Sequence, residues 1–287
     1  MRPMRAYRFS ALVLLWIAGP LCAAEVSIPA AASGSLRLPS AVYKPEGPGP
    51  FPAIVILHDC SGLGPRSSGS PRRWADELVG KGYVAILPDS FSPRGHPDGI
   101  CTVPLPQRNG GITPVNRADD AYAALAYLRT LPYVDGNRVA VMGGSHGGAS
   151  TLATMVAPQA KDRGFLAAVA LYPACAMGMG GWHADLSGDY APAAPVEILI
   201  GELDDWTPAE NCRRLADTAQ KGGHPVTIKV YAGAHHSFDS PNPVRYVASR
   251  VNANAPGKRG ATTGGQPAAW ADSLREVVAF FGRYLGR

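Results

Sequence analysis

A serine hydroxyl becomes a useful nucleophile only when a base takes its proton and a carboxylate steadies that base, and this 287-residue chain carries candidates for all three. The serine is Ser145, in the run Val139-Ala140-Val141-Met142-Gly143-Gly144-Ser145-His146-Gly147-Gly148-Ala149. An apolar stretch breaks there into G-x-S-x-G and then into a small-residue helix start. This is the nucleophile-elbow pattern, a sharp strand-to-helix turn that lifts the hydroxyl out for attack on a carbonyl carbon. Glycine at 143 and 147 lets the backbone fold tightly where a Cβ would collide. With 33 glycines in the chain the five-residue pattern is weak alone, so its context matters: a buried strand before it, a helix after it.

The base and the carboxylate come from two later stretches. An apolar run at 227–231 leads into Ala232-Gly233-Ala234-His235-His236-Ser237-Phe238, and another at 196–200 leads into Gly201-Glu202-Leu203-Asp204-Asp205-Trp206-Thr207-Pro208. His236 is the expected base, with His235 as its neighbour and competitor. Asp204 is the expected carboxylate, with Asp205 and Glu202 as alternatives. The chain order Ser, Asp, His is that of the α/β-hydrolase arrangement. A tetrahedral intermediate also needs donors aimed at its oxyanion. The backbone N–H of His146 is one candidate; that of Cys60, in Ile56-Leu57-His58-Asp59-Cys60-Ser61-Gly62, is the other. His58 and Asp59 lack any metal-ligand spacing such as H-E-x-x-H, so neither a metal nor another cofactor is expected.

These groups need a scaffold that brings them to one rim. Apolar runs at 53–57, 83–87, 138–142, 166–171, 196–200 and 227–231 alternate with amphipathic stretches, the pattern of a mostly parallel central sheet flanked by helices on both faces. Near-continuous rather than alternating apolar strands fit a sheet buried on both sides. Helices are expected over 71–81, with proline in the first turn and Gly82 after the end, over 116–131, and over 268–285. Residues 88–115 and 240–267 are rich in turn-forming residues and read as long loops able to shape a substrate pocket. Arg117 with Asp120 and Asp135 with Arg138 are expected as local ion pairs. Trp74, Trp182 and Trp206 could line a pocket or simply pack, with Trp206, beside Asp204, the best placed for a pocket; Met177 to Met179 reads as a loop.

The first 24 residues are set apart from the fold. Arg2, Arg5 and Arg8 precede an apolar block, Ala11 to Ala18, and Cys22-Ala23-Ala24 offers small residues for cleavage before Glu25. The block is shorter than the ~20 residues that span a bilayer. The reading is an export signal over 1–24, then one domain over 25–287, periplasmic or secreted and without a membrane anchor. Its removal takes three arginines and no acid, leaving 24 basic residues against 22 acidic, so the formal +5 is mostly the signal. No Lys/Arg stripe suggests nucleic acid. Of five cysteines, Cys22 would leave with the signal; the even set of four permits two disulfides in an oxidising compartment.

At this point the chain resembles a known family. Gly143 to Gly148, the Gly-x-x-Asp at 201–204, Tyr231 to Phe238, and the loop Pro88-Asp89-Ser90-Phe91-Ser92-Pro93-Arg94-Gly95 together look like the dienelactone hydrolase family of α/β-hydrolases, from about residue 36 to the last helix. The resemblance implies that fold, a small-molecule ester substrate and an acyl-enzyme route. It also implies, from the neighbouring positions of strands in the family's topology, the pairings Cys60–Cys101 and Cys175–Cys212. The name-giving enzymes use a cysteine nucleophile; Ser145 stands at that position here, so their lactone substrate is not carried over. Two alternatives remain: a binding protein on the same scaffold, and a peptidase or amidase of the same fold.

Overall fold

Every residue of Val84–Pro88, of Ala168–Leu171 and of Val196–Gly201 is buried. Strands buried along their whole length are stable only with both faces covered. The computed structural model describes residues 23–30, 35–104, 107, 112–161, 164–175 and 190–286. In it these runs belong to an eight-stranded sheet. In chain order the strands are β1 (Ala23–Pro29), β2 (Arg37–Tyr43), β3 (Phe51–Leu57), β4 (Val84–Pro88), β5 (Val134–Gly144), β6 (Ala168–Leu171), β7 (Val196–Gly201) and β8 (Val226–Tyr231). Their spatial order is β1-β2-β4-β3-β5-β6-β7-β8. Antiparallel pairing is confined to the β1–β2 and β2–β4 contacts; the rest of the ladder is parallel.

Among the described residues, five α-helices cover the sheet: α1 (Ser70–Gly80), α2 (Pro114–Leu128), α3 (His146–Thr154), α4 (Ala209–Lys221) and α5 (Pro267–Leu285). α1 carries proline in its first turn and is followed by Gly82 at φ 81°, the left-handed stop that its sequence announces. α2 is capped by Thr113, whose Oγ1 accepts the Asn116 N–H at 3.1 Å. Trp74 of α1 meets Trp270 of α5 edge to face at 4.7 Å, while α2 packs along α3. This is the α/β-hydrolase architecture.

Three sequence expectations change. β1 and β2 were not anticipated as strands: Pro29 and Pro39 weaken the local signal, and β1 is an edge strand with one residue buried. Residues 240–267 are not a plain loop. They hold β9 (Arg245–Val251) and β10 (Arg259–Thr263), an antiparallel pair apart from the main sheet. β9 has no buried residue, so no apolar alternation marks it. Arg117 and Asp120 do not pair by hydrogen bonds: Asp120 gives both oxygens to Arg94 at 2.8 and 2.9 Å, and Arg117 turns to other partners. Asp135 and Arg138 do pair, at 2.7 Å. Trp74 is a packing residue, 1% exposed, donating to Asp239 at 2.7 Å. Residues 1–22, Trp182 and the Met177–Met179 segment lie outside the described residues.

Both expected cysteine pairings are present as disulfides, Cys60–Cys101 and Cys175–Cys212. No helix among the described residues is long and apolar enough to cross a membrane.

Candidate active site

Three parallel strands end at one rim, and each delivers a residue there. β5 runs out at Gly144 into Ser145, whose backbone sits at φ 55°, ψ −116° between strand and α3. The turn is locked from below: Ser145 N–H donates to Leu171 C=O at 2.9 Å. A Cβ on Gly147 would lie 2.0 Å from Leu57 O, and one on Gly143 would lie 2.6 Å from Gly147 C. Glycine is needed at both positions for close approach; the left-handed backbone belongs to the serine itself.

β7 delivers Asp204, and β8 delivers His236. The two loops interlock through Glu202 N–H to Tyr231 C=O at 2.9 Å and Leu203 N–H to Ala234 C=O at 2.8 Å. His236 is 1% exposed and donates from Nδ1 to Asp204 Oδ2 at 2.8 Å. That leaves Nε2 as an acceptor, and it stands 2.9 Å from Ser145 Oγ. Asp204 Oδ1 also accepts the Trp206 and Thr207 N–H groups, at 3.0 and 2.8 Å, so its carboxylate is fixed in direction. The imidazole is clasped between Tyr172 and Trp206, each ring centroid 4.7 Å from it.

The competitors go elsewhere. Asp205 accepts Thr262 N–H and Oγ1–H, both at 2.8 Å, and so ties down the β9–β10 hairpin. Glu202 accepts Gly233 N–H. His235 is directed at Leu203 C=O at 3.1 Å.

Ser145, His236, Trp206, Cys60 and Cys101 line one cleft of about 110 Å³. Of the two expected oxyanion donors, Cys60 lines this cleft with Ser145, and His146, the first residue of α3, follows the serine directly. The hairpin supplies Arg245 and Arg250 to the cleft wall, and Arg66 joins them. Sequence reasoning did not find these arginines, because the strand that presents two of them has no apolar period. It also missed Tyr172 and Thr207, which contact His236 and Asp204.

Among the described residues, the grouping of Asp59, Cys60 and Cys101 has metal-like closeness. Its two sulfurs are bonded to each other, so no thiolate is there to ligate. His58 is also committed: Nδ1–H donates to Asp59 C=O at 2.9 Å, and Nε2 accepts Ser90 N–H at 3.1 Å.

The sequence model of the dienelactone hydrolase family matches residues 38–285, nearly all of the sheet and every helix. This chain belongs to the dienelactone hydrolase family. It is 26% identical over 223 residues to a candidate carboxymethylenebutenolidase of Azospirillum brasilense, covering 75% of this chain and 87% of that one. Among solved structures it is similar to P91, a dienelactone hydrolase-like promiscuous phosphotriesterase from metagenomic libraries. There the TM-score is 0.66 at 21% identity, over 93% of this chain and 99% of that one. It is likewise similar to esterase 2 of Thermogutta terrifontis phosphoramylated by tabun, with TM-score 0.61, 18% identity, and coverage of 91% and 95%. At these identities the structural likeness speaks to fold. Family membership makes the chain a hydrolase.

Proposed function

We propose that this family member hydrolyses carboxylic esters through an acyl-serine intermediate formed on Ser145. The observation that carries the reading is the continuous chain Asp204 Oδ2, His236 Nδ1, His236 Nε2, Ser145 Oγ, with contacts of 2.8 and 2.9 Å. His236 Nε2 takes the hydroxyl proton as Oγ bonds to the ester carbonyl carbon. The oxyanion is held by the N–H groups of His146 and Cys60. Collapse breaks the bond to the leaving oxygen, which departs as an alcohol with the proton from His236. Water then repeats the cycle and frees the acid. Asp204 keeps the proton on Nδ1 and stabilises the imidazolium without itself being protonated.

Arg245 and Arg250 on the cleft wall favour an ester whose acyl or alcohol part carries a negative charge. Arg250 packs its guanidinium over the Trp206 ring at the same cleft, 5.6 Å from the centroid. The phosphotriesterase activity of P91 and the tabun-modified state of the Thermogutta esterase agree with a serine that phosphorus electrophiles can trap.

A fluorophosphonate probe is the direct test. It should label the native protein at Ser145 and leave Ser145→Ala untouched, and hydrolysis of p-nitrophenyl acetate should fall at least about 1,000-fold in that variant. Failure of labelling together with no hydrolysis beyond that of Ser145→Ala would return the scaffold to the binding-protein reading. Faster cleavage of a blocked aminoacyl amide than of matched esters and lactones would make it a peptidase.

Residues 1–24 belong to the same proposal as an export signal, supported by the arginine-then-apolar pattern and by two disulfides in the fold. Ala23 and Ala24 open β1, so cleavage before Glu25 shortens that edge strand by two positions. N-terminal sequencing of the mature protein should begin at Glu25; an intact Met1 in the exported fraction would refute the signal.

A further inference from the structure

We infer that Arg117, on α2, is the positioning residue of the oxyanion hole, a single guanidinium that ties the loop carrying Cys60 to the helix start carrying His146. The inference rests on the ester-hydrolase reading and adds to it a residue outside the Ser-His-Asp set.

The geometry is specific. Arg117 is fully buried. One terminal nitrogen donates to His58 C=O at 2.9 Å, and the other contacts His146 Nδ1 at 2.9 Å. A guanidinium can only donate, so His146 Nδ1 is the acceptor and that ring is neutral. His58 C=O lies in the peptide immediately before the one that carries the Cys60 N–H; His146 supplies the other proposed donor from its own backbone. The two segments already touch, since a Cβ on Gly147 would stand 2.7 Å from His58 O. Arg117 closes the same contact from beneath, and Phe91 floors it: the guanidinium lies 4.9 Å from that ring's centroid, and His58 and His146 meet it edge-on at 4.4 and 5.6 Å.

Position and charge both favour this role over plain packing. Both acceptors of Arg117 are neutral, while the nearby carboxylate of Asp120 is taken by Arg94. Burial lowers the guanidinium to about 10, which leaves it charged at neutral pH; burial first, and then Arg117 itself, hold His58 down at about 3, so that ring stays neutral. A buried cation without a bonded carboxylate is costly. Here its positive field sits behind the place where negative charge develops. Lysine could not replace it, because one ammonium lacks the planar fork that spans two acceptors on different elements.

The experiment compares Arg117→Lys, Arg117→Met and His146→Leu with the native enzyme on p-nitrophenyl acetate, each rate normalised to serine titrated by fluorophosphonate. Arg117→Met should lose about 100-fold in kcat with KM within about threefold, the scale of a lost oxyanion donor. Arg117→Lys and His146→Leu should each lose roughly tenfold, since each keeps one of the two ties. Affinity for an alkylboronic acid, which forms a tetrahedral adduct on serine, should fall in parallel with kcat. A merely structural role would lower melting temperature and the titratable fraction while leaving kcat per titrated serine and boronate affinity unchanged, and that result overturns the inference. Should Arg117→Met fail to fold, unchanged kcat in the other two variants overturns it equally. Loss of Ser145-dependent activity from the native protein would instead remove the parent reading, and this one with it.

Discussion

Ser145 carries backbone strain at the site. Its φ of 55° costs on the order of 1–3 kcal/mol for a residue with a Cβ, and the surrounding backbone contacts fix it there. Gly147 is the counterpart of that strain. Gly147→Ala places a methyl 2.0 Å from the Leu57 carbonyl oxygen, a backbone atom that cannot swing aside. The variant should lose kcat through displacement of α3 from residues 57–60 by far more than its melting temperature falls; equal activity per folded molecule would contradict this. Far from the rim, Glu197 of β7 has one carboxylate oxygen buried without a hydrogen bond, and burial, then Glu276, push its pKa up to about 7. An acid raised in the folded state binds its proton more tightly there than when unfolded. Its stabilising contribution is therefore full below about pH 4.5 and is lost as pH rises through about 7. Glu197→Gln should gain on the order of 3 kcal/mol at pH 8 and nothing at pH 4, read from denaturant melts at both pH values.

The β9–β10 hairpin brings Arg245 and Arg250 to the cleft, and side-chain bonds with the Asp205–Trp206 loop help to hold it. Asp205 grips Thr262; Asn252 Nδ2 donates to the carbonyls of Asp205 and Gly260; Trp206 Nε1 donates to Val251 C=O at 2.9 Å. Its strands bury little, so these polar ties and the backbone ladder set its position. Asp205→Ala removes two of them without touching Asp204. KM for an anionic ester should rise about tenfold with kcat nearly unchanged, while a neutral acetate ester should change less than threefold, on the scale of one lost charge-assisted contact. A fall in kcat for both esters would mean that Asp205 supports the triad rather than the hairpin.

Across the whole molecule, the two disulfides join segments that follow different strands of the sheet. They close loops of 41 and 37 residues in sequence, which makes each worth about 4 kcal/mol by chain entropy. Their consequences should differ. Cys175→Ser with Cys212→Ser ought to lower the urea midpoint while leaving kcat of the folded protein nearly intact. Cys60→Ser with Cys101→Ser should lower both, because Cys60 and Cys101 line the cleft beside Ser145. Paired melts and kinetics separate the cases; an unchanged kcat in the second variant would detach the Cys60 backbone from the oxyanion role.

The parallel core strands, the helices and the candidate residues Ser145, Asp204 and His236 were legible from one dimension, because apolar runs and a Gly-flanked serine are local patterns. Sequence favoured Asp204 over Asp205 and His236 over His235 but left the neighbours open as competitors. Adjacent residues in a loop share the same neighbours in sequence, and only the packing of β7 against β8 decides which side chain faces inward. The charge of the cleft was hidden for a related reason. Arg245 and Arg250 sit on a strand pair whose stability comes from polar ties to the Asp205 loop, and no hydrophobic period announces it. Arg117, placed by sequence beside Asp120, bonds instead to His58 and His146, residues 59 and 29 positions away along the chain. Burial and long-range approach are properties of the folded chain, and they determine what a side chain of given chemistry can do.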